Sequence, residues 1–119
     1  METLIVDDED DMRSLIRTTI EIANKGLRVV GEAANGTDAL AKWREGRPDC
    51  IVIDQRMPGL TGIDVCRAIL AEDPSQRIVL FTAFADAELR RSATEIGISV
   101  VLPKDHVHKL PETLRGLAA

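Results

Sequence analysis

Cys50-Ile51-Val52-Ile53-Asp54 is an unbroken apolar row closed by a carboxylate. A strand with one face in water alternates apolar and polar side chains, whereas a continuous row of this length describes a strand covered on both faces. The same form recurs along the chain. Leu4-Ile5-Val6 leads into Asp7 and Asp8, Ile78-Val79-Leu80-Phe81 into Thr82, and Val100-Val101-Leu102 into Pro103 and Lys104. Arg28-Val29-Val30-Gly31-Glu32-Ala33 is more mixed, so it belongs at a sheet edge or turns one face to solvent.

Helical spacing fills the intervals between these rows. Met12, Leu15, Ile16, Thr19, Ile20 and Ala23 draw one stripe at steps of three and four, with Gly26 as the expected terminator. Ala39, Leu40 and Trp43 mark a second helix, and Ile63, Cys66, Ile69 and Leu70 a third that Pro74 stops. A fourth uses Ala87, Arg90, Ala93 and Ile96, with Asp86 as a first-turn acid and Gly97 at its end. The last places Val107, Leu110, Leu114 and Leu117 on one face, and Pro111 is compatible with it only when the helix proper begins near Leu110.

Strand followed by helix, five times over, predicts an α/β fold: a doubly wound, five-stranded parallel sheet with right-handed crossovers and helices on both faces. The common strand order for five strands is 2-1-3-4-5, which puts a ligand site at the carboxyl ends of strands one and three. The 119 residues suit a single domain spanning 1–119. Apolar residues at 45% and charged residues at 29% are ordinary for a folded chain. A net charge of −5 argues against nucleic acid or an anionic membrane as a direct partner. No apolar run reaches the roughly 18 residues of a membrane span, so a cytoplasmic location is expected. Cys50 and Cys66 fall in different layers, about 10 Å apart, and are expected to be buried free thiols. His106 and His108 have no further His or Cys nearby to complete a metal site and read as solvated loop residues.

Asp7, Asp8, Asp54, Thr82 and Lys104 all stand at strand ends on one edge of this sheet. Any single acid there is an ordinary loop residue; five such groups converging are not. Strands one and three lie about 4.8 Å apart, so three carboxylates share one pocket. They must either raise one another's pKa or recruit a cation. Oxygen ligands with places left for water suit Mg²⁺. Asp54, beside a metal and opposite Lys104, could attack phosphorus and hold the resulting acyl phosphate, with the Thr82 hydroxyl donating to a phosphoryl oxygen.

Ile5-Val6-Asp7-Asp8-Glu9, Ile53 through Gly62 (IDQRMPGLTG), Phe81-Thr82-Ala83 and Leu102-Pro103-Lys104 resemble the four signature stretches of response-regulator receiver domains in two-component signal transduction. The resemblance covers essentially the whole chain. It implies that Asp7 and Asp8 hold Mg²⁺ together with Asp54 and the backbone carbonyl of Arg56. It also implies that Asp54 is the phosphoacceptor, Thr82 the switch hydroxyl and Lys104 the phosphate-pairing lysine. Such a domain takes its phosphoryl group from a sensor histidine kinase or phosphotransfer protein and signals through helix 4, strand 5 and helix 5 to an effector domain or protein. Homodimerisation on phosphorylation is an option the family leaves open. It would not be an enzyme beyond catalysing its own phosphoryl transfer and dephosphorylation.

Two positions depart from the family pattern. Val101 stands where an aromatic residue is usual in the fifth strand, and Lys104 is followed by Asp105 rather than proline. Valine is too short and too stiff to act as a swinging ring, so the loop from Ala83 to Asp86, with Phe84 and the fourth helix, is the expected moving part. Other functions are less compatible. A flavin phosphate would be repelled by Asp7 and Asp8, and a haloacid-dehalogenase-type phosphatase wants an acid where Arg56 stands. The remaining alternative is a receiver fold kept as a phosphorylation-independent protein-interaction module.

Overall fold

The computed structural model describes residues 1–24 and 26–118. Its strands are β1 (Glu2–Val6), β2 (Arg28–Ala33), β3 (Cys50–Ile53), β4 (Arg77–Thr82) and β5 (Val100–Pro103). The helices between them are α1 (Asp10–Ala23), α2 (Gly36–Gly46), α3 (Gly62–Glu72) and α4 (Ala87–Ile96); a 3₁₀ turn over Lys104–Lys109 leads into α5 (Leu110–Ala118). All pairings are parallel, and the order is β2-β1-β3-β4-β5. Among the described residues no helix is long and apolar enough to cross a membrane.

The two-residue period of a strand sorts the core into two halves. Leu4, Val6, Ile51, Ile53, Ile78 and Leu80 face α2, α3 and α4, where Trp43, Cys66, Ile69 and Ala93 meet them. Ile5, Val52, Val79 and Phe81 face the other way, onto Ile16 and Ile20 of α1 and Leu110 and Leu114 of α5. Cys66 belongs to the first half and Cys50 to the second, so the sheet separates them; burial pushes both thiols up to about 12. The mixed strand β2 is indeed an edge.

Local chemistry differs from the expected pattern in five places. Asn24, not Gly26, caps α1 in the left-handed conformation (φ 39°), and its amide returns to the Ile20 carbonyl. Asparagine tolerates that region better than other non-glycine residues. Within α1, Leu15 is exposed while Ile16 and Ile20 are buried, because the stripe is centred one position further round. Ala87 and Arg90 of α4 are exposed too, and Leu89, Ala93 and Ile96 make the contact with the core. Asp86 is the N-cap of α4, its side chain accepting from the Leu89 amide, rather than a first-turn acid. His106 and His108 lie in the 3₁₀ turn, not in a loop, and His106 is half-buried. Pro111 sits at the second position of α5, as the helix start at Leu110 requires.

Candidate functional site

Strand register carries the acids to one place. Val6 pairs with Ile53, so Asp7 and Asp54 leave the sheet side by side. The Asp54 amide donates to the Val6 carbonyl at 2.9 Å and the Asp7 amide to the Ala33 carbonyl at 3.1 Å, which anchors both backbones beyond the last ladder pair. Asp7 is fully buried and Asp54 is 5% exposed, while Asp8 is exposed. Carboxylate oxygens of Asp7, Asp8 and Asp54 lie within 4.8 Å of one another.

Lys104, the first residue after β5, reaches across the edge of the sheet. Its Nζ donates to Asp7 Oδ2 at 2.8 Å and stands 3.2 Å from Asp54 Oδ2. Burial alone would lower the lysine pKa; its hydrogen bond to Asp7 and its attraction to both acids outweigh this and raise it. Asp54 is held above the usual carboxylate range, chiefly because burial penalises its charged form and secondarily because Asp7 is close; Lys104 and the Arg56 amide pull against this without reversing it. Crowding of like charges is thus a real contribution, but desolvation is the larger one.

The loop after Asp54 is built to stay still. Gln55 accepts from the Ile63 amide through its side chain at 2.8 Å and from the Gly62 amide through its carbonyl at 3.0 Å. A Cβ on Gly62 would come within 2.3 Å of the Asp54 carbonyl oxygen, so only glycine allows α3 to start this close. Thr61 caps α3 in a reciprocal box with Asp64. Gly59, at φ 80°, supplies the turn ahead of it.

Thr82 closes β4 and is 1% exposed; with Arg56, Met57, Pro58, Phe84 and Leu89 it lines a groove beside Asp54. Phe84 is 64% exposed, and the Arg56 guanidinium lies over its ring, 4.9 Å from the centroid. Asp7, Asp8, Asp54 and Lys104 are therefore brought into direct proximity. Thr82 stands at the mouth, and Arg56 contributes a backbone amide to Asp54. Sequence reasoning missed Arg13, whose Nη1 donates to the Asp7 carbonyl at 2.6 Å. Nothing in its helical position distinguishes it from a solvated arginine.

The donor set suits a hard divalent cation: oxygen ligands only, mixed burial, and one exposed acid able to keep water alongside. The chain matches the family model of the response regulator receiver domain over residues 3–115. It belongs to that family. Among curated relatives it is 36% identical to chemotaxis protein CheY of Thermotoga maritima, over 79% of this chain and 77% of that one. It is 39% identical to a protein-glutamate methylesterase/protein-glutamine glutaminase of Hahella chejuensis, over 87% of this chain but 30% of the longer protein. A LuxR-family two-component response regulator from Aurantimonas superposes with a TM-score of 0.92 at 33% identity, covering 98% of this chain and 84% of the other. The receiver fold is therefore shared with relatives of very different length, and the chain spans less than a third of the methylesterase.

Proposed function

We propose that this receiver domain, taken as one unit over 1–119, accepts a phosphoryl group on Asp54 from a histidine kinase or phosphotransfer protein. The observation that supports this reading is Lys104 Nζ bridging Asp7 and Asp54 at 2.8 and 3.2 Å, with Asp8 completing three carboxylates on the same sheet edge. One ammonium leaves that group of acids with charge to spare, which a divalent cation would balance. Asp7, Asp8, Asp54 and the Arg56 backbone carbonyl would hold Mg²⁺. When bound, it would neutralise charge on the transferring phosphoryl oxygens.

The remaining work falls to the chain's own side chains. An Asp54 carboxylate oxygen forms the new bond to phosphorus as the donor's phosphorus–nitrogen bond breaks, and the histidine nitrogen leaves with the electron pair. Lys104 is already placed to pair with the arriving oxygens, exchanging part of its contact with Asp54 for one with the phosphoryl group. Thr82 supplies a hydroxyl from the end of β4. The acyl phosphate adds about −1.5 to −2 charges at Asp54, and the loop from Ala83 to Asp86 is drawn toward it. Output passes through that loop and α4, with Phe84 moving off Arg56. Val101, half-buried against the α4 half of the core, is too small to carry the change. The receiving surface, α4, β5 and α5, would present itself to an effector domain or protein.

Incubation with acetyl phosphate and Mg²⁺, followed by intact mass, tests the reaction. A single added phosphoryl group is expected, absent in Asp54→Asn and in excess chelator; full labelling of either would overturn the proposal.

A further inference from the structure

Arg13 lies in the first turns of α1, and its guanidinium reaches back under the loop that carries the acid pair. Nη1 donates to the Asp7 carbonyl at 2.6 Å, Nε donates to Glu32 Oε1 on β2 at 3.2 Å, and Nη2 pairs with Asp10. The side chain is 14% exposed. Glu32 is fixed from a second side by Arg17 Nε at 2.7 Å. Asp7 is consequently held at every polar atom: its amide by Ala33, Oδ1 by the Glu9 amide at 2.9 Å, Oδ2 by Lys104, and its carbonyl by Arg13. That carbonyl belongs to the peptide joining Asp7 to Asp8. Because a peptide is planar, fixing its oxygen fixes the direction in which the next residue leaves.

We propose that Arg13 is a positioning residue for the divalent-cation site: anchored by Glu32, it sets the Asp7–Asp8 peptide so that the exposed Asp8 carboxylate is presented to the cation. The inference rests on the cation site proposed above. Two effects compete. A positive charge behind the acids repels a metal, whereas a loop ordered in advance spares the metal the entropy of ordering it. Asp10 and Glu32 both face the guanidinium, so its charge is matched locally and the ordering effect dominates.

The test is calorimetric titration with magnesium chloride of the parent, Arg13→Ala, Arg13→Lys and Glu32→Gln, each verified as folded by circular dichroism. Losing the order of one backbone residue should weaken Mg²⁺ binding about tenfold in Arg13→Ala. Lysine should not restore it, since it keeps the charge and loses the planar fork. Glu32→Gln, which touches neither acid, should weaken binding about threefold through a loosened anchor. A merely structural Arg13 would lower the melting temperature and leave the Kd of the folded protein alone. An Arg13→Ala or Glu32→Gln Kd within twofold of the parent, or tighter, would overturn the proposal, as would full restoration by lysine. A parent that takes up no Mg²⁺ would instead bring down the cation site itself, and this inference with it.

Discussion

The two edges of the sheet treat buried polar groups in opposite ways. At the edge where the strands begin, Gln76 is buried and satisfied throughout: its oxygen accepts from Trp43 Nε1 at 2.8 Å, and its amide donates to the carbonyls of Asp49 at 3.2 Å and Arg77 at 3.1 Å. Arg47 covers the Trp43 ring at 3.9 Å. The Gln76 side chain is neutral, and its oxygen and its amide are both engaged within the fold. At the edge where the strands end, Asp7 and Asp54 are buried with one shared ammonium and a third acid alongside. A saturated network stabilises the fold; one with surplus charge is held in place by the fold and available for chemistry.

The sharpest way to break this contrast is at Asp54. Asp54→Asn should abolish acyl-phosphate formation while leaving the protein folded, so intact mass loses the phosphoryl adduct and circular dichroism is unchanged. At the opposite edge, Trp43→Phe leaves the Gln76 oxygen unpaired inside the core and opens a small cavity. The expected loss is about 2 kcal/mol of stability in denaturant melts, with phosphorylation of the folded protein unaltered.

A third effect has the reverse sign. The Asp54 carboxyl is held above its ordinary range mainly by burial, so the folded state binds its proton more tightly than the unfolded chain does. That contribution to stability is fully present below the unfolded value and is lost as pH rises through the folded one. At neutral pH without metal, Asp54→Asn should therefore be more stable than the parent, by about 1 kcal/mol. The gap should narrow on acidification and close when Mg²⁺ is added to the parent. Melts of both proteins in chelator across pH would check the sign; an apo variant less stable than its parent would show that the Lys104 contact outweighs desolvation.

The smallest effect is expected at the rim. Arg56→Ala removes a cation–π contact with Phe84, worth about 0.5–1 kcal/mol at an exposed site. Stability should barely move, by less than about 1 kcal/mol in denaturant melts, because Phe84 is exposed and leaves Arg56 in the phosphorylated state in any case.

How much of this was legible beforehand depended on whether the signal was local. Four apolar rows closed by polar residues carried the strands, the order and the shared family, because a buried parallel strand announces itself in consecutive residues. Asp7, Asp54 and Lys104 could be placed together as soon as the strand order was in hand. The α4 stripe was misjudged, since a helix with Ala93 as its one fully buried residue offers weak periodicity, and Leu89, two positions from Ala87, lies on the other side of the helix, the side that meets the core. Asn24 hid behind Gly26, as asparagine is an uncommon cap and glycine a common one. Arg13 and the Gln76 network were invisible, because each is defined by partners distant in sequence.

Trp43 has one more consequence, for spectroscopy. It is the chain's sole indole, fully buried and hydrogen-bonded at the edge remote from the acids. Its emission should report the collapse of the core on unfolding and stay silent to events at Asp54, so a single fluorescence trace gives a melting curve uncontaminated by site occupancy, and occupancy needs a probe of its own.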